Sequence, residues 1–137
     1  MIKEIAHFIA ARAGAGFAVG TTIQVGHRTD ASPDQCSVVL ESAGGALHFD
    51  LPDRNDKMVQ VISRATTYMT ARADAWTIFN ALHGQAGWKT DLTAIAPATQ
   101  NYEAMTIEAL ADPQYIGQDD KDRYEFSTNY IFRIQNA

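Results

Sequence analysis

A chain of 137 residues with 46% hydrophobic and 20% charged residues has the size and composition of one globular domain with its own core. Its formal net charge of −5 argues against a protein that follows the DNA backbone, because such a protein would carry a basic face. The only cysteine, Cys36, excludes an intrachain disulfide and a thiolate metal cluster.

The first part of the chain predicts one helix followed by strands. Apolar residues recur at helical spacing from Ile2 to Ala13, and Gly14 ends the pattern. This segment is interrupted by charge and resembles neither a signal peptide nor a membrane span, so we expect a cytoplasmic chain. The β-branched run 21–28 predicts a strand, Cys36 to Ser42 predicts the next, and 46–49 predicts a short third one.

The middle of the chain predicts a loop, a strand and a second helix. Residues 50–56 (DLPDRND) are polar and predict a loop, whereas 57–65 alternate and predict a strand. From Tyr68 to Leu82 apolar residues return every three or four positions, and Gly84 stops this pattern. The helix start is ambiguous, since the two threonines before Tyr68 suit a strand equally well.

The last third predicts a β-hairpin. Residues 105–109 alternate, and 124–134 alternate almost perfectly, which makes the latter the clearest strand of the chain. The acidic stretch 112–122 between them is expected to be a long, partly mobile connection. Because helices and strands do not strictly alternate, we predict one α+β domain over residues 1–137, with a mixed, mostly antiparallel sheet, two helices packed on one face and a long β-hairpin at the end.

Three parts of the sequence carry residues that could support chemistry. The glycines from Gly14 to Gly20 follow a helix and precede a strand, which is the wrong order for a phosphate loop. His48 and Asp50 would share a face of a strand, so a small His/Asp site is an alternative to an exposed pair. Cys36 opens an apolar strand and is expected to be a buried small hydrophobe. We therefore expect no catalytic residues, no cofactor and no metal.

Surface chemistry points instead to a protein partner. Asp119, Asp120 and Asp122 lack the spacing of a calcium loop, so they predict a solvated turn or a charged contact. Aromatic residues on strands and loops are typical interface anchors, and a closing strand at the sheet edge would need a covering partner. The residues that we expect at an interface are Arg54, Asp56, Tyr115, Asp119, Asp120, Asp122, Arg123, Tyr130 and Arg133.

Several features occur in an order that resembles the tail terminator (minor capsid, or tail completion) proteins of long-tailed bacteriophages. They are the N-terminal helix 2–13, the strand pair 21–28 and 36–42, the segment MVQVISRATTYM running into ADAWTIFNAL, and the closing DRYEFSTNYIFRI (122–134). The resemblance implies a structural protein, not an enzyme, that forms a hexameric ring, caps the tail tube and presents a surface to the head-side connector.

The same resemblance implies the partners and the place of the protein. The partners would be further copies of the chain, the tail-tube protein and a head-side connector or completion protein, with no membrane and no sequence-specific nucleic acid, although DNA would pass through the ring. The protein would be assembled in the host cytoplasm and end in the virion tail. The alternatives are another neck or head–tail joining subunit and, in a different class, a small enzyme or ligand-binding domain that uses His48 and Asp50.

Overall fold

The computed structural model describes residues 2–14, 16–28, 31–42, 54–91 and 102–136. This part of the chain forms two helices and seven strands. In chain order they are α1 (Ile2–Ala13), β1 (Ile23–Val25), β2 (Cys36–Glu41), β3 (Arg54–Ala65), α2 (Tyr68–Leu82), β4 (Gln85–Asp91), β5 (Tyr102–Ala109), β6 (Gln114–Gln118) and β7 (Tyr124–Asn136).

The strands form one mixed sheet in the order β1-β2-β3-β7-β5-β4, and β6 also pairs with β7. Only β1 and β2 run parallel; every other described pair is antiparallel. Strand β7 is the centre of the sheet. It pairs with β3 along one side, and on its other side with β6 near Phe126 and with β5 near Phe132.

Helix α1 ends, and helix α2 begins, next to residues that commonly occupy those positions. Gly14 follows α1 with a φ of +110°, a conformation that costs glycine little because it has no Cβ. Thr67 is the N-cap of α2, and its hydroxyl accepts a hydrogen bond from the backbone N–H of Thr70 at 3.3 Å. The cap settles the ambiguous start of the helix, because its first turn needs an acceptor for its free N–H groups.

The core lies between the two helices and one face of the sheet. Its side chains come from α1, α2 and the central strands, and each fully buried one contributes about 1.5–3 kcal/mol through removal of apolar surface from water. The largest are Ile5, Phe8, Ile9, Ile23, Val39, Val59, Val61, Ile78, Leu82, Ile107, Tyr130 and Phe132. The predicted class, an α+β domain with both helices on one face, is confirmed.

The predicted helices and the closing strand are confirmed, and the pairing of the 105–109 strand with it is also present. The predicted loop 50–56 extends too far, because its last three residues belong to β3, which begins at Arg54. The 21–28 strand is shorter than predicted, because Gly26 takes a φ of +81° after Val25. The short strand predicted at 46–49 lies outside the described residues.

Two predictions about the last third are wrong. The connection 112–122 contains strand β6, which pairs with β7 from Gln114 to Gln118. The closing strand is not at an edge, because β3 and the β5–β6 side cover both of its sides. No helix in the described residues is long and apolar enough to cross a membrane.

Candidate functional site

Five of the nine residues predicted at an interface lie close together at one end of the sheet. Tyr115 lies on β6, and Asp119, Asp120, Asp122 and Arg123 form the turn that leads into β7. Asp120 and Asp122 are exposed, whereas Asp119 and Arg123 are partly buried. Asp122 has a φ of +61°, a left-handed conformation that aspartate tolerates better than most residues.

The other four are dispersed. Asp56 and Arg133 lie opposite each other on β3 and β7, and the Arg133 guanidinium forms a 2.8 Å ion pair with Glu108 on β5. Tyr130 is 0% exposed and fills the core, so it presents no surface to a partner; burial also raises the pKa of its phenol. Arg54 opens β3, and its side chain lies outside the described residues.

The carboxylate of Asp119 holds the turn together. Its Oδ1 accepts hydrogen bonds from the backbone N–H groups of Lys121 and Arg123, both at 3.0 Å, and its Oδ2 accepts one from Arg123 Nε at 2.7 Å. Burial alone would raise the pKa of the Asp119 carboxyl, but these donors outweigh it and hold the pKa below its ordinary value. The turn is therefore stabilised by an ionised aspartate.

Arg123 links this turn to a distant loop. Besides Asp119, its guanidinium donates to Asp34 Oδ1 at 3.0 Å. The same loop accepts from Arg64, whose Nη2 lies 2.8 Å from the Pro33 carbonyl oxygen and whose Nε lies 3.1 Å from the Asp34 carbonyl oxygen. Burial lowers the pKa of the Arg64 guanidinium, which nevertheless stays protonated because arginine is charged at any physiological pH.

A third arginine completes this ionic network. Arg28 donates to Glu125 Oε2 at 3.1 Å and to the Ile62 carbonyl oxygen at 2.7 Å. Its Nε also lies 3.2 Å from the sulfur of Cys36, which is buried as predicted. Together the three arginines tie the 28–36 segment, the end of β3 and the β6–β7 turn into one structure. We call this set the ionic network: Arg28, Asp34, Arg64, Asp119, Arg123 and Glu125.

The network borders a cleft of about 220 Å³, but its groups are committed to each other. Each of its arginines has a carboxylate within 4 Å, and every arginine also bonds a second acceptor. Within the described residues no group of three or more His, Cys, Asp or Glu side chains could hold a metal ion. The arrangement fixes loops in place: the three arginines of the cleft are held by ion pairs and hydrogen bonds within the protein.

The opposite face of the same hairpin carries aromatic rings. Tyr115 and Tyr68 lie edge to face with their centroids 5.4 Å apart, and both contact Phe126, at 5.6 and 5.1 Å. Tyr124 completes the cluster at 6.0 Å from Tyr68. Phe126 is buried, but Tyr68 and Tyr115 remain 41% and 47% exposed. Part of this cluster is therefore surface.

Large exposed apolar side chains concentrate around β6. In the described part of the chain they are Tyr68, Met69, Leu110, Tyr115 and Ile116, with exposed fractions between 41% and 66%. Leu110 precedes β6, Tyr115 and Ile116 lie on it, Tyr68 packs on it from the first turn of α2, and Met69 is the next residue of that turn. An exposed apolar patch of this kind marks an interaction surface more often than a catalytic site. We call these five residues the β6 patch.

Sequence reasoning missed most of this site. Arg28, Arg64 and Glu125 lie far apart in the sequence and are not among the nine residues predicted at an interface. The register places Arg64 directly opposite Glu125, which no local pattern reveals. Tyr68 was assigned only to the apolar stripe of a helix. Its exposure follows from its place in the first turn, beyond the core.

The alternative sites gain no support from the described residues. Gly14 and Gly20 both have positive φ angles, and their segment leads from the end of α1 to β1, so it does not run into the N-terminus of a helix as a phosphate loop does. His48 and Asp50 lie outside the described residues. His83 is engaged structurally, since its Nδ1 accepts a hydrogen bond from the backbone N–H of Ala109 at 3.0 Å.

Comparison with known proteins identifies relatives. A family model described as bacteriophage tail terminator protein matches residues 13–136 of the chain. Among solved structures, a chain from the virion of a native gene transfer agent particle has a similar fold, with a TM-score of 0.56 and 15% sequence identity. That alignment covers 93% of this chain and 84% of the other, and it establishes a shared fold. A search of curated proteins found no match.

Proposed function

This chain belongs to the bacteriophage tail terminator family, and we propose that it assembles into a ring of six subunits that caps the tail tube and stops tube elongation. The family match, which extends over residues 13–136, is the observation that carries the proposal. Family membership makes the chain a structural protein of the phage tail. The ring, the capping step and the contact with a head-side connector or completion protein are the proposed parts.

The surface chemistry of the chain supports an assembly role. The β6 patch offers apolar area, and the exposed carboxylates of Asp112, Asp120 and Asp122 lie before and after β6. An apolar centre with a polar rim is the usual anatomy of a protein interface. The net charge of −5 also fits a ring through which DNA passes without being bound.

The nine residues predicted at an interface fall into different structural roles. We retain Tyr115, Asp120 and Asp122 as surface contacts, and we regard Asp119 and Arg123 as residues that position the turn. Tyr130 is removed, because it is buried. The remaining three members of the set, Arg54, Asp56 and Arg133, lie on β3 and β7, away from the β6 patch, and stay predictions.

A tube-elongation experiment tests the capping proposal. Purified tube protein from the same phage is allowed to polymerise, and this chain is added in increasing amounts while tube length is measured by electron microscopy. We expect tubes to shorten or stop growing, with a ring visible at one end. Unchanged tube growth at saturating protein would contradict capping; binding to a head-side connector alone would then favour a neck or head–tail joining subunit.

Light scattering across a concentration series tests the ring itself. We expect a species of six subunits, either alone or after addition of tube protein. A monomer under both conditions, with no binding of tube protein, would refute the proposed function and return attention to the small enzyme or ligand-binding alternative at His48 and Asp50.

A further inference from the structure

We propose that the β6 patch is the surface through which one copy of this chain docks onto the next, and that the receiving surface is the α1–β1 side of the neighbouring copy. This inference rests on the proposed function, since it names the contact by which the ring would close.

The first observation is that the patch and the α1–β1 side lie at opposite edges of the sheet. Strand β1 forms one end of the strand order, and β6 lies beyond β7 on the other side. A patch that docks on a different surface of an identical copy makes a heterologous contact. Repetition of such a contact closes into a ring when the rotation between copies permits.

The second observation is charge. Residues 111–122, which contain β6, hold four aspartates and one lysine. Residues 5–28, which contain most of α1 and all of β1, hold no aspartate or glutamate; Glu4 lies in the first turn of α1, Arg28 is committed to Glu125, and Arg12 and two histidines remain. Arg12 and His27 are exposed. Opposite charges at the two edges attract successive copies in one orientation, and like charges disfavour edge pairing of β6 with β6.

The third observation is that the receiving side also offers apolar area. Phe17 and Val19 are only partly buried and pack against the core from the α1–β1 connection. They suit the side chains of Tyr115 and Ile116, whose rings and branches would lose their contact with water on docking.

Backbone hydrogen bonds at the edge of β1 limit how the two surfaces can contact each other. On the outer side of β1, the N–H of Ile23 already donates to the Ala18 carbonyl oxygen at 2.9 Å, and the Ile23 carbonyl oxygen accepts from Gly20 at 2.8 Å. The edge of β1 is thus occupied at Ile23 by its own connection. We therefore infer docking through side chains, not through an extension of the sheet from one copy to the next.

Lysine substitutions within the patch test the proposal. Met69→Lys and Ile116→Lys each place a charge among exposed apolar groups, while Asn80→Lys adds the same charge to an exposed position further along α2 and is the matched control. We expect each patch variant to raise the protein concentration needed for ring assembly by about tenfold or more, the effect of losing an interface hot spot. The control should assemble like the unmodified chain, and circular dichroism should show all three to be folded.

A charge swap tests the identity of the receiving surface. Arg12→Glu and Asp120→Lys should each weaken assembly, and the chain carrying both should recover much of it, because every contact again joins opposite charges. Failure of the double variant to recover, with both single variants weakened, would overturn the assignment of α1–β1 as the receiver.

The same variants separate this inference from the proposed function. If Met69→Lys and Ile116→Lys form normal rings but no longer stop tube growth, the patch faces the tube: the inference is overturned and the capping function stands. If they fail in ring assembly and the unmodified chain stops tube growth, both are supported. If the unmodified chain neither forms rings nor stops growth, the proposed function falls, and the inference falls with it.

Discussion

Asp119 offers a sharp test of how the ionic network holds the β6–β7 turn. Asp119→Ala removes two backbone hydrogen bonds and the ion pair with Arg123, whereas Asp119→Asn keeps an acceptor for the backbone N–H groups and removes the charge together with the Oδ2 acceptor for Arg123 Nε. Hydrogen bonds to charged groups contribute about 1.5–3 kcal/mol each, and not additively, so we expect a loss of about 2–4 kcal/mol for alanine. For asparagine we expect about 1–2 kcal/mol, since the turn geometry survives.

The dependence on pH follows from the direction of the pKa shift. The pKa of Asp119 is lower in the folded protein than in the unfolded chain, where it is about 3.9. The stability that the carboxylate contributes is therefore complete above the unfolded value and is lost as pH falls through the folded value. The difference between the unmodified chain and Asp119→Asn should thus be full at neutral pH and shrink below about pH 4.

Urea unfolding at several pH values between neutral and acidic measures both effects. The free energy of unfolding of all three proteins is compared, with equal m-values as the condition for attributing the change to the folded state. If Asp119→Ala and Asp119→Asn lose equal free energy of unfolding, the hydrogen bonds from the backbone N–H groups to Asp119 contribute little. If the difference in free energy of unfolding between the unmodified chain and Asp119→Asn stays constant down to the most acidic pH, the role given to the ionised carboxylate is refuted.

Three further substitutions test the core, the helix start and a buried hydroxyl pair, all by urea unfolding. Phe132→Ala should lose about 3–5 kcal/mol, because the ring is 0% exposed and its removal leaves a cavity; a loss below 1 kcal/mol would contradict its place in the core. Thr67→Ala should lose about 1 kcal/mol through the missing N-cap, while Thr67→Ser should be nearly neutral. The Ser37 and Ser63 hydroxyls are buried 3.0 Å apart, so Ser37→Ala should cost about 1–3 kcal/mol by leaving Ser63 without that partner. The double alanine variant should cost less than the sum of the single ones, and strict additivity would argue against the bond.

The elements that could be predicted from sequence are those with long, regular periodicity. Both helices repeat apolar residues over three or more turns, and the stretch from Tyr124 alternates over eleven positions, so burial on one face leaves a strong signature. These patterns also determine the fold class. Periodicity does not set the ends of helices and strands where a cap or a positive φ angle determines the boundary, as at Thr67 and Gly26.

Strand β6 could not be predicted because its own residues favour a loop. It is five residues long, contains Gly117, and is bounded by Pro113 and the acidic turn. It is extended because β7 offers an open side from Tyr124 to Ser127, which is a consequence of tertiary pairing. Strand β4 was missed for a related reason, since its glycine and polar residues carry no alternation and it pairs with β5.

The candidate site depends on register even more strongly than the fold does. Arg64 and Glu125 are 61 positions apart, and only the antiparallel pairing of β3 with β7 places them opposite each other. The aspartates of the turn were recognisable as surface charge. Their different roles were not, since Asp119 accepts three hydrogen bonds while Asp120 and Asp122 remain exposed.

The ionic network and the β6 patch occupy the two faces of one hairpin, and this arrangement couples them. Among the described strands β6 pairs only with β7, so its position depends on the turn that joins the two. Asp119 and Arg123 fix that turn from one face, while Tyr115 projects to the other, against Tyr68. Loosening the network should therefore weaken docking through the patch without changing any residue that touches the partner. Asp119→Asn should then reduce ring assembly less than Ile116→Lys does, and the difference in assembly between Asp119→Asn and the unmodified chain should narrow as the pH of the assembly assay is lowered below about 4, where the unmodified chain loses the contribution of its ionised carboxylate.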